Sequence, residues 1–358
     1  MKQIRFALLT GLFLFTASSV FALAPADSSR SASGKNSGSQ VLSQGRSLMK
    51  EGNAAAALEK FIAFNAGHPN SEEGMCAEGN ALLLMKQADK ALTVFEKVLT
   101  AFPQSEEAAF GKANALVQQD KTAQALSLLN DIISKNSENP RALYYRGVAY
   151  FSQEKYKEAL DDFDATISKD PSFAYAFNDR GSTKRMMNNP DGAVEDYKKS
   201  LQLDSSFYTG YNNLGTAMKL KGDEAGAIQA FSRAIKLRPG APEAYNNRGR
   251  IYFEQNKTDL ALKDFNEAAR ANPSGSLAYC NLGAVHIRNK NYIDGIDVCT
   301  KAIKNNASCG QAYLNRGIAK ELIGDLNGAC DDWNKAVSLG QKQATEYLNE
   351  CGKNNKNE

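Results

Sequence analysis

The sequence predicts an all-α solenoid: nine 34-residue helix-turn-helix units over residues 38–343, closed by a capping helix at 344–352. Three observations carry this. Laid against itself at a 34-residue step, the chain aligns without insertion or deletion in blocks starting at Gly38, Glu72, Glu106, Pro140, Ala174, Tyr208, Pro242, Ser276 and Gly310. Both halves of a block carry apolar residues at three- and four-residue steps. In 242–275, Tyr245, Gly249 and Tyr252 precede a polar break at Gln255-Asn256-Lys257, and Ala261, Phe265 and Ala268 follow it. Finally, small and bulky residues hold fixed columns. The eighth place reads Gly45, Gly79, Ala113, Gly147, Gly181, Gly215, Gly249, Gly283 and Gly317. The twentieth is alanine in every block except for Gly295, and the twenty-fourth is Phe61, Phe95, Leu129, Phe163, Tyr197, Phe231, Phe265, Cys299 and Trp333. Small residues let paired helices approach, and the bulky one fills the space beside them.

Taken in order, residues 1–24 have the layout of a secretory leader: Lys2 and Arg5, an apolar run from Phe6 to Phe15, then small residues with cleavage after Ala22 or Ala24. An uncleaved anchor is the alternative, but Thr10, Gly11, Thr16, Ser18 and Ser19 interrupt a stretch that would need about 20 apolar residues to span a bilayer. Residues 25–37, rich in Ser and Gly, form a flexible tether, with the folded part starting near Val41. Blocks one to three (38–139) keep the core pattern but diverge most, and serve as a cap or a separate contact. His68-Pro69 and Phe102-Pro103 end helices, because proline lacks the amide a continuing helix requires. After the last block, 344–352 restarts a first helix and covers the final apolar surface, and 353–358 is a disordered tail.

The formal net charge is +3, and Lys2 and Arg5 supply two of those charges, so nothing points to nucleic acid or an anionic membrane surface as a bulk partner. Five of the six cysteines lie in the last third. In an exported chain this favours disulfides, and Cys330 with Cys351 is the first choice, because it would staple the cap to the last full helix. Cys280, Cys299 and Cys309 share one block, and the sequence does not choose among them. Buried free thiols are the alternative for all of them. With only His68 and His286, and no cysteine pair at metal-ligand spacing, no catalytic constellation, metal or cofactor is expected. His286 occupies an apolar helix-helix place and reads as a core histidine.

Repetition within the chain serves as an internal comparison. Arg146, Arg180, Arg248 and Arg316 in the seventh place accompany Asp162, Asp196, Asp264 and Asp332 in the twenty-third. Where the seventh place is Leu214 or Leu282, the twenty-third is Ala230 or Val298. This predicts an Arg–Asp pair between the two helices of each charged block, since a guanidinium near the packed interface needs a carboxylate partner.

The 34-residue hairpin with these small, aromatic and proline places resembles the tetratricopeptide repeats, over residues 38–343. Ser137, Ser205, Ala307 and Gln341 depart from the proline at block ends, so those joints should be looser. The resemblance implies a right-handed superhelical α-solenoid whose first helices line an inner face, and a binding role without catalysis. The expected function is an exported scaffold, in the periplasm or at the cell surface, that binds an extended peptide or partner helix in its groove and inserts in no membrane after leader cleavage. The alternative is an accessory subunit of a cell-envelope enzyme, contacted through the outer face. Family members that clamp a terminal carboxylate use a lysine in the fifth place. No fifth place here is cationic, so no preference for a free C-terminus is expected. The candidate peptide-binding residues occupy the sixth place: Asn213, Asn247, Asn281 and Asn315, with Asn349 in the cap and Asp179 before them. The row resembles the asparagine ladder that holds a peptide backbone in the family's long superhelices. A carboxamide both donates and accepts, so such a row can satisfy main-chain groups whatever the ligand's side chains. A structural role, each Asn bonding to nearby backbone, is the competing reading.

Overall fold

The computed structural model describes residues 37–354, which form nineteen helices and no strand. The expected leader, most of the tether and residues 355–358 lie outside the described residues. The chain divides after Lys169 into two compact units. The first unit holds α1 (Ser37–Glu51), α2 (Ala54–Gly67), α3 (Glu72–Leu84), α4 (Ala88–Ala101), α5 (Glu106–Gln118), α6 (Thr122–Lys135), α7 (Pro140–Ser152) and α8 (Tyr156–Lys169). The second holds α9 (Ala174–Met186), α10 (Pro190–Leu203), α11 (Tyr208–Leu220), α12 (Glu224–Leu237), α13 (Pro242–Glu254), α14 (Thr258–Ala271), α15 (Leu277–Arg288), α16 (Tyr292–Asn305), α17 (Gly310–Leu322), α18 (Leu326–Ser338) and α19 (Ala344–Asn354). Within each unit, odd-numbered helices up to α17 pack on the even-numbered helix that follows, and successive odd-numbered helices touch from α1 to α7 and from α9 to α17, while α19 packs on α18.

Two bounds differ from expectation. α1 starts at Ser37, inside the expected tether, and α19 runs to Asn354, two residues into the expected tail. Once a turn is docked, each further helical residue adds a hydrogen bond at little cost, so polar flanks are recruited.

Local chemistry sets the helix ends. Ser71, Ser105, Asn139, Asn189, Asp223 and Asp325 each accept an amide of the following first turn, as when Asp223 Oδ1 takes the Gly226 N–H at 2.8 Å. Such caps satisfy donors that a helix leaves unpaired, at about 1 kcal/mol each. Pro140, Pro190 and Pro242 open α7, α10 and α13, where a missing amide costs nothing. The hairpin turn uses one device throughout. The fifteenth place has positive φ in every block: Gly52, Lys86, Asp120, Glu154, Asn188, Gly222, Asn256, Lys290 and Gly324. A left-handed residue there stops the first helix and turns the chain back.

The columns of the sequence become the core. In the twentieth place Ala57, Ala91, Ala125, Ala159, Ala193, Ala227, Ala261 and Ala329 are fully buried. The bulky twenty-fourth residue lies directly on the eighth-place glycine of its own block. A methyl added to Gly249 would stand 2.8 Å from Phe265 Cε1, and one added to Gly317 would stand 2.4 Å from Trp333 Nε1. The exception explains itself: block three has Ala113, and its twenty-fourth residue is the non-aromatic Leu129. α19 lays Ala344, Tyr347, Leu348 and Cys351 against Trp333 and Ala336, closing the second unit's core.

Candidate functional site

The four arginines and four aspartates meet in bidentate pairs across their helical hairpins. Arg146 donates to Asp162 through Nε at 2.8 Å and Nη2 at 2.7 Å, Arg180 to Asp196 at 2.9 and 2.6 Å, Arg248 to Asp264 at 2.8 and 2.7 Å, and Arg316 to Asp332 at 2.9 and 2.7 Å. All four aspartates are buried, so the fork-to-fork geometry offsets a large desolvation cost. The hydrogen bond to aspartate raises the pKa of Arg146, Arg248 and Arg316 above the ordinary guanidinium value, against the opposing effect of burial. Two features of these clamps were not anticipated. The remaining Nη1 of Arg146, Arg248 and Arg316 reaches back to the preceding block, donating to Asn130 Oδ1, Ser232 Oγ and Thr300 Oγ1 at 2.9, 2.8 and 3.1 Å. Lys184 and Lys320 add a second cation to Asp196 and Asp332, at 2.8 and 2.9 Å. Asn130, Ser232 and Thr300 occupy the twenty-fifth place, a polar place that the 34-residue pattern does not mark as a partner. Their pairing depends on how closely successive hairpins stack.

The sixth-place row lies on the first helices of the second unit, α11 to α17. Its carboxamides do not meet one another. Each reaches the fifth place of the block before: Asn213 Nδ2 donates to Asn178 Oδ1 at 3.1 Å, Asn247 to Asn212 Oδ1 at 3.0 Å, and Asn281 to Asn246 Oδ1 at 3.1 Å. In the last rung the fifth residue is a cysteine, and Asn315 Nδ2 donates to the Cys280 carbonyl at 3.0 Å. Asp179, buried, begins the series by accepting from Asn178 Nδ2 at 2.8 Å. Asn281 and Asn315 are buried, while Asn213 and Asn247 are half-buried. One amide hydrogen of each rung is thus committed to the array, and Asn213 and Asn247 keep partial solvent contact. Asn349 falls within α19, with its side chain outside the described residues.

Elsewhere on these helices, Met186, Leu220 and Leu322 occupy the thirteenth place of α9, α11 and α17 and are exposed. Cys330 and Cys351 are placed with their sulfurs at bonding distance and their Cα atoms 5.9 Å apart, joining α18 to α19. His286 is partly exposed, not a full core residue, with Nδ1 3.9 Å from Asp294 Oδ2: its place is at the edge of the hairpin, where the second helix begins. Among the described residues no group of three His, Cys, Asp or Glu side chains is arranged to hold a metal, and no helix is long and apolar enough to cross a membrane.

Comparison with known proteins places this geometry. Profiles described as tetratricopeptide repeat match residues 42–106 and 178–242, and again 242–274. One described as anaphase-promoting complex, cyclosome, subunit 3 matches residues 84–166. Curated proteins give no match. Among solved structures, a chain in the crystal structure of the APC/C hetero-tetramer Cut9-Hcn1 is similar in fold, with a TM-score of 0.64, 17% identity and 83% of this chain covered. This chain spans 58% of that chain's length. The crystal structure of MamA matches at 27% identity, covering 46% of this chain and 96% of that chain, with a TM-score of 0.41. With profiles matching inside both units and the 34-residue hairpin continuous through each, the chain belongs to the tetratricopeptide-repeat family.

Proposed function

We propose that this protein is an exported, non-catalytic scaffold that binds an extended peptide or a partner helix along the first-helix face of its second unit. The observation that carries the reading is the register of that face. Five successive first helices carry equivalent residues at one-block intervals; of these the carboxamides of Asn213 and Asn247 stay half-buried, and Met186, Leu220 and Leu322 add exposed apolar side chains. Committed once to the array, Asn213 and Asn247 each retain a second N–H and further acceptor capacity for a ligand's main chain. Export rests on the leader layout of residues 1–24, and a periplasmic or cell-surface location follows from it.

The test is capture from an envelope fraction with the mature chain, comparing wild type with Asn213→Ala/Asn247→Ala. Retention of a partner by wild type and at least tenfold weaker capture by the variant, with melting unchanged, supports binding on this row. Capture that falls only in proportion to the folded fraction would leave the asparagines a purely structural role. A second reading has its own observation. In the first unit a cleft of about 360 Å³ among α2, α3 and α4 is lined by apolar Leu58, Ile62, Leu82 and Val94 beside polar Glu78, Gln87, Lys90 and Thr93, with Ile62 exposed. Such a recess, with an exposed apolar side chain rimmed by polar ones, suits a contact with a larger enzyme that the scaffold regulates. Loss of capture in Ile62→Asp, and not in the asparagine variant, would favour it.

A further inference from the structure

We propose that Cys280 and Cys309 form a second, reversible disulfide site, one that fastens α15 to the start of α17 and so locks the last rung of the asparagine row. Cys280 is buried in the first turn of α15, and Cys309 is the half-buried N-cap residue of α17. Their sulfurs are 2.7 Å apart, so closing the bond at about 2.05 Å needs a small displacement. The sequence left three cysteines of this block open, and the structure separates them. Cys299 is fully buried and fills the ring's place on its own glycine: a methyl on Gly283 would stand 2.3 Å from its Sγ.

The two thiols are unequal in a way that suits stepwise exchange. The hydrogen bond from Cys280, helped by the Ala312 and Gln311 amides at the start of α17, lowers the Cys309 pKa to about 7 against the opposing effect of burial. The same hydrogen bond and burial hold Cys280 well above the ordinary thiol range. A low-pKa, partly accessible thiol is the attacking group in thiol–disulfide exchange, and a buried neighbour is its resolving partner. With a small-molecule disulfide such as oxidised glutathione, the Cys309 thiolate attacks one sulfur and expels a glutathione thiolate. Cys280 then loses its proton and attacks the Cys309 sulfur, expelling the second. Two protein thiols are oxidised to one disulfide, and one glutathione disulfide is reduced to two glutathione thiols, which take up the two protons. The bond would cross the joint where Ala307 replaces the block-end proline, and its anchor residue carries the carbonyl that Asn315 holds at 3.0 Å.

The experiment treats the folded full-length chain with oxidised glutathione, alkylates remaining thiols in denaturant, and maps disulfides by mass spectrometry after non-reducing digestion. The expected result is a linked pair of peptides containing Cys280 and Cys309, with Cys76 and Cys299 alkylated. In Cys330→Ala/Cys351→Ala, which removes the other pair, oxidation should raise the unfolding midpoint by several degrees and dithiothreitol should reverse it. Alkylation of both Cys280 and Cys309 overturns the proposal, as does a linked peptide containing Cys299 or a glutathione adduct on Cys309 that never resolves.

Discussion

At the scale of single residues, the Arg–Asp clamps have an experiment written into the chain. Asp264 is 2% exposed and Arg248 is held only partly in solvent, so removing the carboxylate strands a guanidinium at the helix interface. Asp264→Ala should lower stability by about 2 kcal/mol, less than a fully buried pair because of that residual solvent. The double variant Arg248→Leu/Asp264→Ala copies the pairing of Leu214 with Ala230 found one block earlier, and should recover most of the loss in urea unfolding. Tyr175 gives a pH prediction. Burial, with smaller help from Asp204 and Asp179, pushes its phenol up to about 12, against about 10 in an unfolded chain. The folded state therefore favours the protonated form. Its contribution is complete below pH ~10 and is lost as pH rises from there through about 12. Stability should fall over that window, and Tyr175→Phe should flatten the fall, read from melting midpoints at stepped pH.

At the scale of the element, the hairpin depends on how its two helices touch and how it turns. Gly249→Ala drives a methyl to 2.8 Å from the Phe265 ring and should cost about 1–3 kcal/mol. Gly67→Ala, at the exposed end of α2 with nothing within 4 Å, should be neutral or slightly stabilising. A reversed order of these two would sink the ring-on-glycine account of the eighth column. The turn offers the opposite change. Lys290 stands at φ 63, a conformation that strains an L residue and suits glycine. Lys290→Gly should stabilise the chain by roughly 0.5–1 kcal/mol in denaturant unfolding, the gain being reduced by glycine's greater freedom when unfolded.

At the scale of the whole molecule, stability in a repeat array is a sum of hairpins and nearest-neighbour contacts, so damage stays local. The cap is where this is clearest. Among the described residues α19 packs on α18, and Cys330 with Cys351 is placed to hold it there. Cys351→Ser should speed amide exchange in α18 and α19 while leaving α3 to α8 in the first unit unchanged. A uniform rise across both units would mean that the chain unfolds as one cooperative body.

The sequence alone determined the period, the hairpin and the faces, because each depends on spacings within 34 residues that repetition displays nine times over. The Arg–Asp partners were legible for the same reason: the columns change together, so each block reports on the others. What crosses from block to block was not legible. The sixth-place asparagines read either as a ligand-holding row or as structural groups bonded to nearby backbone, and the partner that three of them take, the fifth-place asparagine side chain of the preceding block, is set by side-chain direction and stacking distance. The left-handed turn residue did not show in the sequence: glycine fills that place only at Gly52, Gly222 and Gly324, and at Lys86, Glu154 and Lys290 the docked hairpin imposes a backbone that their own preference opposes. The choice among Cys280, Cys299 and Cys309 also waited for tertiary structure. Sequence separation says nothing of which sulfurs meet, and only the packing of α15 against α17 brings two of them together.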